Sequence, residues 1–283
     1  MQGIPYSEIL RGLEGFDVWL KNQGITAQPN DRIHEALTVL LEADEASRRG
    51  RETGNYTNID PKDWFSMVEA LEAHDVFLAF RDNPTPAFTA ELKRALSGPE
   101  HPSLETTKNR DGRNVWYQLA LAAEWKLRGA EVEVEEPDLR LYREGFTFLL
   151  ACKRPAKDHS VRANIRGASW QLQQALSSTP INTYGVVAIN LTCVLNPGDK
   201  ILVGDPNGLG GIVESYVEKH LKDLKSVDDQ RICCAMFDAA TPSNGVQTVD
   251  MIRAYYAIGK ELHPSAASEA FIRHSIEIRD HPE

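Results

Sequence analysis

No apolar stretch in the chain approaches the roughly 18 residues that a membrane-spanning helix needs, so nothing in it reads as a span. The opening MQGIPYSEILRGLEGFD lacks a basic start followed by an apolar run, which argues against a secretory signal. Cysteine is scarce: Cys152, Cys193, Cys233 and Cys234 are the four in 283 residues. They form no CxxC pair and no His/Cys cluster at zinc spacing, so a disulfide framework and a structural zinc are both set aside. Cys233-Cys234 sits inside RICCAMFDA, which reads as a buried strand where cysteine acts as a small hydrophobe. The cytoplasm is the expected compartment. Positive charge is also short, with 31 Lys and Arg against 41 Asp and Glu, a net charge of -10. That balance argues against a sequence-independent grip on nucleic acid spread over the whole surface, because Lys and Arg neutralising phosphates supply most of such binding. A local basic stripe can still dominate one face. There is no internal repeat and no low-complexity tract.

What is present is an ordinary globular composition, 42% hydrophobic and 25% charged, in a chain long enough for one large domain or two modest ones. Residues 1 to about 100 read as helices only. SEILRGLEGFDVWLKNQ carries an apolar stripe. DRIHEALTVLLEADEASRRG opens on an N-cap at Asp31 and stops at Gly50. DPKDWFSMVEALEAHDVFLAF has Pro61 at its first helical position, and PTPAFTAELKRALSG ends at Gly98. The polar segment 98–113 is expected to link this helical domain, placed at 1–105, to a second domain at 106–283. NVWYQLALAAEWKLRG then reads as a helix stopped by Gly129. AEVEVEE, PDLRLYRE and FTFLLACKR read as three strands, the last two joined by a hairpin at Arg143-Glu144-Gly145. VRANIRGASWQLQQALSS is helical, YGVVAINLT a buried strand, GDPNGLGG a loop before the helix IVESYVEKHLKDLKS, and RICCAMFDA a further strand. VDMIRAYYAIGKEL and SEAFIRHSIEIR read as terminal helices. The expected fold class is mixed α/β (α+β), with an antiparallel three-strand meander opening the second domain.

The pairing that carries chemistry is Pro137-Asp138 at the start of one strand and Lys153 near the end of its hairpin partner. Adjacent strands lie roughly 4.8 Å apart, so both side chains can project into one cleft. Asp138 could hold a hard divalent cation, while Lys153 could orient a water and offset phosphate charge. A plain cross-strand ion pair at the surface is the competing reading.

The stretch EPDLRLYREGFTFLLACKRP resembles the core motif of the PD-(D/E)XK (restriction-endonuclease-like) nuclease superfamily, PD followed after a hairpin by (D/E)xK. RNVWYQLALAAEWKLRGAEV looks like the helix that precedes that motif, SVRANIRGASWQL like the helix that follows it, and YGVVAINLT like the next strand. The resemblance covers about residues 110–191 and implies an α-β-β-β-α-β core. It implies Asp138 and the backbone carbonyl of Cys152 as ligands of Mg2+ or Mn2+, Lys153 as the catalytic lysine, and Gln171 as a contact to substrate or a metal-bound water. Asn164 lies seven residues before Gln171, about two turns along the same helical face.

Two positions depart from the pattern. Ala151 stands where the second carboxylate belongs, and Gln118 where the preceding helix offers a carboxylate. One Asp, one carbonyl and waters make a weak site for a hard cation. Glu124 points elsewhere on its helix, and Glu133 or Glu135 on the neighbouring strand is the remaining source of a migrated carboxylate. Ala151 thus reads as an altered natural site, as the mark of a non-catalytic relative, or as an inactivating replacement of Glu.

Between 153 and 166 lie Lys153, Arg154, Lys157, Arg162 and Arg166, opposed only by Asp158. Such a stripe positions phosphates rather than reading bases, and Arg110 and Arg113 could extend it. GDPNGLGG lacks the GK[ST] ending of a phosphate loop, Asp158-His159-Ser160 is not a triad by adjacency, and His34 reads as structural. Two functions follow as expectations: a metal-dependent nuclease acting on DNA in preference to RNA, or a non-catalytic binding protein on the same fold within a larger bacterial assembly. In either, the N-terminal helices are expected to engage substrate, a protein partner or a second copy. In either, Asp138, Lys153 and Gln171 should converge within about 6 Å.

Overall fold

The computed structural model describes residues 4–26, 32–53, 61–97, 99, 104–106, 108–197, 206–224, 229–242, 248–249, 251–259 and 265–280. In chain order come β1 (Ile4–Pro5), α1 (Tyr6–Asn22), α2 (Arg32–Thr53), α3 (Pro61–Phe80), α4 (Pro86–Ala95) and α5 (Asp111–Leu127). Next are β2 (Glu131–Glu135), β3 (Asp138–Arg143), β4 (Phe146–Lys153), α6 (Val161–Leu176), β5 (Thr183–Asn190) and α7 (Thr192–Leu195). The chain continues with α8 (Pro206–Leu224), β6 (Ile232–Pro242), β7 (Thr248–Val249), β8 (Met251–Ile258) and α9 (Ala266–Asp280). Among the described residues no helix is long and apolar enough to cross a membrane.

The chain divides into two compact units, and the division falls inside α5, between Glu124 and Trp125. The first unit contains α1 to α4, most of α5, and the two-residue strands β1 and β7, which pair antiparallel. Its core is aromatic: Phe16, Trp19 and Phe77 contact one another, Trp19 meets Phe88, and Phe80 stacks on Phe88 at 4.1 Å. α1 and α3 approach closely at Gly12, where an added Cβ would collide with the His74 ring. A buried ion pair between Arg113 and Glu69 ties α5 to α3, and Arg32 lies over the Trp116 ring at 5.3 Å.

The second unit is a six-stranded mixed sheet in the order β2-β3-β4-β5-β6-β8. β2, β3 and β4 form an antiparallel meander, whereas β4-β5 and β5-β6 are parallel. Helix α6 covers one face: a Cβ on Gly185 of β5 would touch Leu172 and Leu176 at 3.2–3.3 Å. Helix α9 covers the other, where Phe271 meets Phe148 at 5.4 Å and Trp125 at 6.0 Å. The strands β4 to β6 are buried on both faces, which explains their nearly continuous apolar runs.

Several expectations are corrected. Residues 251–258, read above as part of a helix, form the edge strand β8. Its Tyr255-Tyr256 pair and β-branched Ile258 suit a pleated edge, and Gly259 lets the chain approach Cys234 of β6, where a Cβ would come within 2.9 Å. The segment from Pro206 to Gly211 is not a loop but the first turns of α8. A proline at the first helical position is preorganised for the helix and outweighs the glycines behind it. α2 runs past Gly50 to Thr53, α5 begins already at Asp111, and the opening stretch includes the short strand β1. The expected cap at Asp31 and stop at Gly98 lie outside the described residues.

The β3-β4 turn is built as its sequence suggests. Arg143 pairs with Phe146, and between them Glu144 and Gly145 have φ of 51° and 80°. Two successive positive φ values are those of a type I′ turn, whose twist matches the flanking strands. Gly145→Ala forces a side chain into this conformation, at an expected cost of roughly 1–2 kcal/mol in urea unfolding. An unchanged unfolding midpoint would show that the turn does not constrain the hairpin.

Candidate functional site

The sheet register brings Asp138, Ala151 and Lys153 onto one face. Leu139 pairs with Leu150 across the β3-β4 ladder, so Asp138 stands opposite Ala151 and beside the strand end at Lys153. Side chains alternate along each strand, and the burial of Leu139 and Leu141 on β3 leaves Asp138, Arg140 and Tyr142 on the α6 face. Asp138 follows directly on a cis Glu136–Pro137 peptide that closes the β2-β3 turn.

Four groups meet there. The Asp138 Oδ2 accepts the backbone N–H of Cys152 at 2.6 Å. The Lys153 ammonium lies 3.5 Å from the same oxygen, donates to the Cys152 carbonyl at 3.1 Å, and donates to Gln171 Oε1 at 2.6 Å. Gln171 in turn donates from Nε2 to the Pro137 carbonyl at 2.7 Å. Its amide therefore has a partner of the matching kind at each end, which fixes its orientation. The β2-β3 turn, β4 and α6 are joined through this one residue.

Only 18% of the Asp138 side chain is accessible, and burial pushes its carboxyl up to about 6. The Lys153 ammonium, the Cys152 N–H and Gln171 all pull the other way and only partly offset the loss of solvent. Cys152 projects its thiol to the opposite face, where burial, followed by the Asp138 charge, raises it well above the ordinary thiol range. It stays a neutral thiol and has no nucleophilic character.

The remaining residues expected at the site take different places. Ala151 is fully buried on the shared face. Glu133 and Glu135 do lie on that face, but Glu135 pairs with Arg140 at 3.0 Å and Glu133 accepts from the Tyr142 hydroxyl at 2.8 Å. Gln118 is buried on α5 in the first unit. Asn164 donates to the Ser160 carbonyl at 2.8 Å, within the first turn of its own helix. Arg154 turns away from the stripe and donates to the Cys193 sulfur at 2.8 Å. Lys157, Arg162 and Arg166 are exposed, along the start of α6 and the turn before it. Asp158, the one acid among them, accepts the Tyr216 hydroxyl at 2.6 Å. Ser160 donates to the Lys157 carbonyl at 2.6 Å, so Asp158, His159 and Ser160 do not assemble a triad.

Sequence reasoning missed a second polar group, at the end of β5 and within β6. Asp238 is fully buried; it accepts from Asn190 Nδ2 at 2.9 Å and lies 4.0 Å from the Arg253 Nε. The clue was available: Asn190 and Asp238 are the first polar residues after long apolar runs. By the strand register these two share a face with Cys152, opposite Asp138.

Among the described residues, no group of three His, Cys, Asp or Glu side chains could hold a metal ion. Around Asp138 one carboxylate already faces one ammonium, and the neutral oxygens of Cys152 and Gln171 point at that same ammonium. A hard dication needs several oxygens with charge to match, so this donor set does not fit resident Mg2+ or Mn2+. What the set does hold is a fixed lysine: its charge is placed by three oxygens, with no rotamer search left to make. In comparisons with known proteins, no family model, curated protein sequence or solved structure matches the chain.

Proposed function

We propose that this chain binds the phosphate backbone of nucleic acid, DNA above all, through a restriction-endonuclease-like cleft that keeps the phosphate-facing half of a nuclease site and lacks its metal-holding half. The observation that carries this reading is the Lys153 ammonium, held at the cleft by Asp138, the Cys152 carbonyl and Gln171. The order helix, three antiparallel strands, helix, parallel strand supports the fold assignment. Beside the cleft, α6 carries Arg162 and Arg166 and contains no acidic residue, in a chain whose net charge is -10. Such a set grips phosphates without reading sequence.

Binding of a labelled duplex is expected to weaken linearly in log Kd against log salt, because each neutralised phosphate releases about 0.7–0.9 counterion. Arg166→Ala, at an exposed position, should reduce the slope by about one and weaken all sequences alike. A flat salt dependence, or no binding at low salt, overturns the reading.

A second reading, residual hydrolysis, has one observation in its favour. Asp138 is oriented by the Cys152 N–H, an arrangement that a plain ion pair does not need. Incubating supercoiled plasmid with the protein and Mn2+ tests it, with Asp138→Asn as the control: cleavage equal in the two sinks the hydrolytic reading.

A further inference from the structure

We propose that the nucleic acid lying along α6 presents unpaired bases, and that Trp170 is the platform on which one of them stacks. This rests on the phosphate-binding reading and adds the class of strand. Trp170 leaves 65% of its surface in water, on a helix whose apolar stripe of Val161, Ile165, Leu172 and Leu176 is fully buried. An exposed indole contributes little to the fold. One turn before it stands Arg166, and one turn before that Arg162, both exposed. A planar aromatic face in line with two guanidinium groups is complementary to a polyanion that also carries flat rings.

Gly167 adds an independent observation. It lies in the middle of α6, where glycine weakens a helix relative to alanine, and a Cβ built on it would meet nothing within 4 Å. Among the described residues no packing asks for the missing side chain. At 3.6 residues per turn, Trp170 lies roughly 60° to one side of Gly167 and Gln171 roughly 40° to the other. The bare helix surface at Gly167, continued by the small exposed Ala163, therefore separates the indole from the residue that holds Lys153. A strand crossing α6 there would reach the backbone closely, with its phosphate towards Lys153 and its base over Trp170.

Duplex DNA keeps its bases stacked on each other and offers the indole no open ring face, whereas an unpaired strand does. Arginine and lysine alone would serve a duplex. The chemistry therefore favours single strands, splayed ends or extruded bases.

The test is fluorescence anisotropy of the full-length chain with a labelled oligo(dT) of about 20 nucleotides, a blunt duplex of that length, and oligo(U). The single strand is expected to bind at least about 10-fold more tightly than the duplex. Trp170→Ala should remove roughly 5- to 100-fold of single-strand affinity and leave duplex binding nearly unchanged, with Trp170→Phe intermediate. Gly167→Leu should raise the melting temperature yet weaken single-strand binding. Tighter binding of oligo(U) would assign the unpaired strand to RNA and keep the stacking role. Equal affinity for strand and duplex, or indifference to Trp170→Ala in a folded variant, overturns the stacking while salt-dependent phosphate binding stands. Absence of any salt-dependent binding overturns both.

Discussion

Asp138→Asn is expected to make the protein more stable at neutral pH, by up to about 3 kcal/mol. The carboxyl rises from an unfolded-chain value of 3.8 to about 6 on folding, because burial outweighs Lys153 and the Cys152 N–H. A group whose pKa is raised by folding stabilises the native state while it is protonated. That contribution is whole below about pH 3.8, declines as the pH rises, and is gone above about pH 6. Asparagine mimics the protonated acid: it still accepts the Cys152 N–H and carries no charge to bury. Urea unfolding of both proteins should show a gap that is widest at pH 7 and closes towards pH 4. An Asn variant that is less stable at pH 7, or a gap independent of pH, would refute the assignment of burial as the dominant cause. A residue that costs the fold this much is held for something other than folding, which is how functional groups commonly behave. In the metal-free binding reading the same variant should also bind DNA more tightly in EDTA, because it removes a negative charge from the cleft.

Ala151→Glu is expected to give the opposite stability and a new dependence on metal. Ala151 is fully buried on the face shared by Asp138 and Lys153. A glutamate there adds a second buried carboxylate for one ammonium, which should cost about 3 kcal/mol or more without metal. It also gives a cation the second charged oxygen that the native cleft lacks. Adding Mg2+ or Mn2+ at a hundredfold over its Kd should restore roughly 3 kcal/mol, seen as a metal-dependent rise in melting temperature that the native chain does not show. Ala151→Gln, equal in size and uncharged, should lose stability without regaining it. If Glu and Gln respond alike to metal, the cleft is not the remnant of a metal site. Metal-dependent nicking of plasmid by the Glu variant would complete the nuclease-like reading.

Much of the second unit could be read from the chain itself because its elements obey short-range rules. Alternation in residues 131–135 and 138–143, the Glu144-Gly145 turn and the dense apolar run of β4 set the meander, and the meander places Asp138 near Lys153. Where reading failed, a longer-range contact decided. Residues 251–258 have apolar spacing tolerable in a helix, and they become a strand because an open sheet edge beside β6 accepts them. Arg154 looks like one more member of a basic stripe; the neighbouring sulfur of Cys193, 39 residues along the chain, takes it out. The exposure of Trp170 is not legible in the sequence, because an aromatic residue on a helix is usually buried and its exposure depends on how α6 is rotated against the sheet. Gln171 was legible as a site residue, but its reach back to the Pro137 carbonyl was not.

The two-residue turn at Glu144-Gly145 acts as a ruler for the cleft. Every pairing from Arg143–Phe146 to Leu139–Leu150 is counted from it, and Asp138 and Lys153 lie just past the last one. Inserting a single residue within β3 or β4, between the turn and the site, would carry Asp138 to the wrong side of the sheet relative to Lys153. A change in the number of residues along β3 or β4 is therefore closed to this chain as it diverges. In natural variants that keep the cleft, the spacing between Asp138 and Lys153 should be held more tightly than the identity of the residues between them.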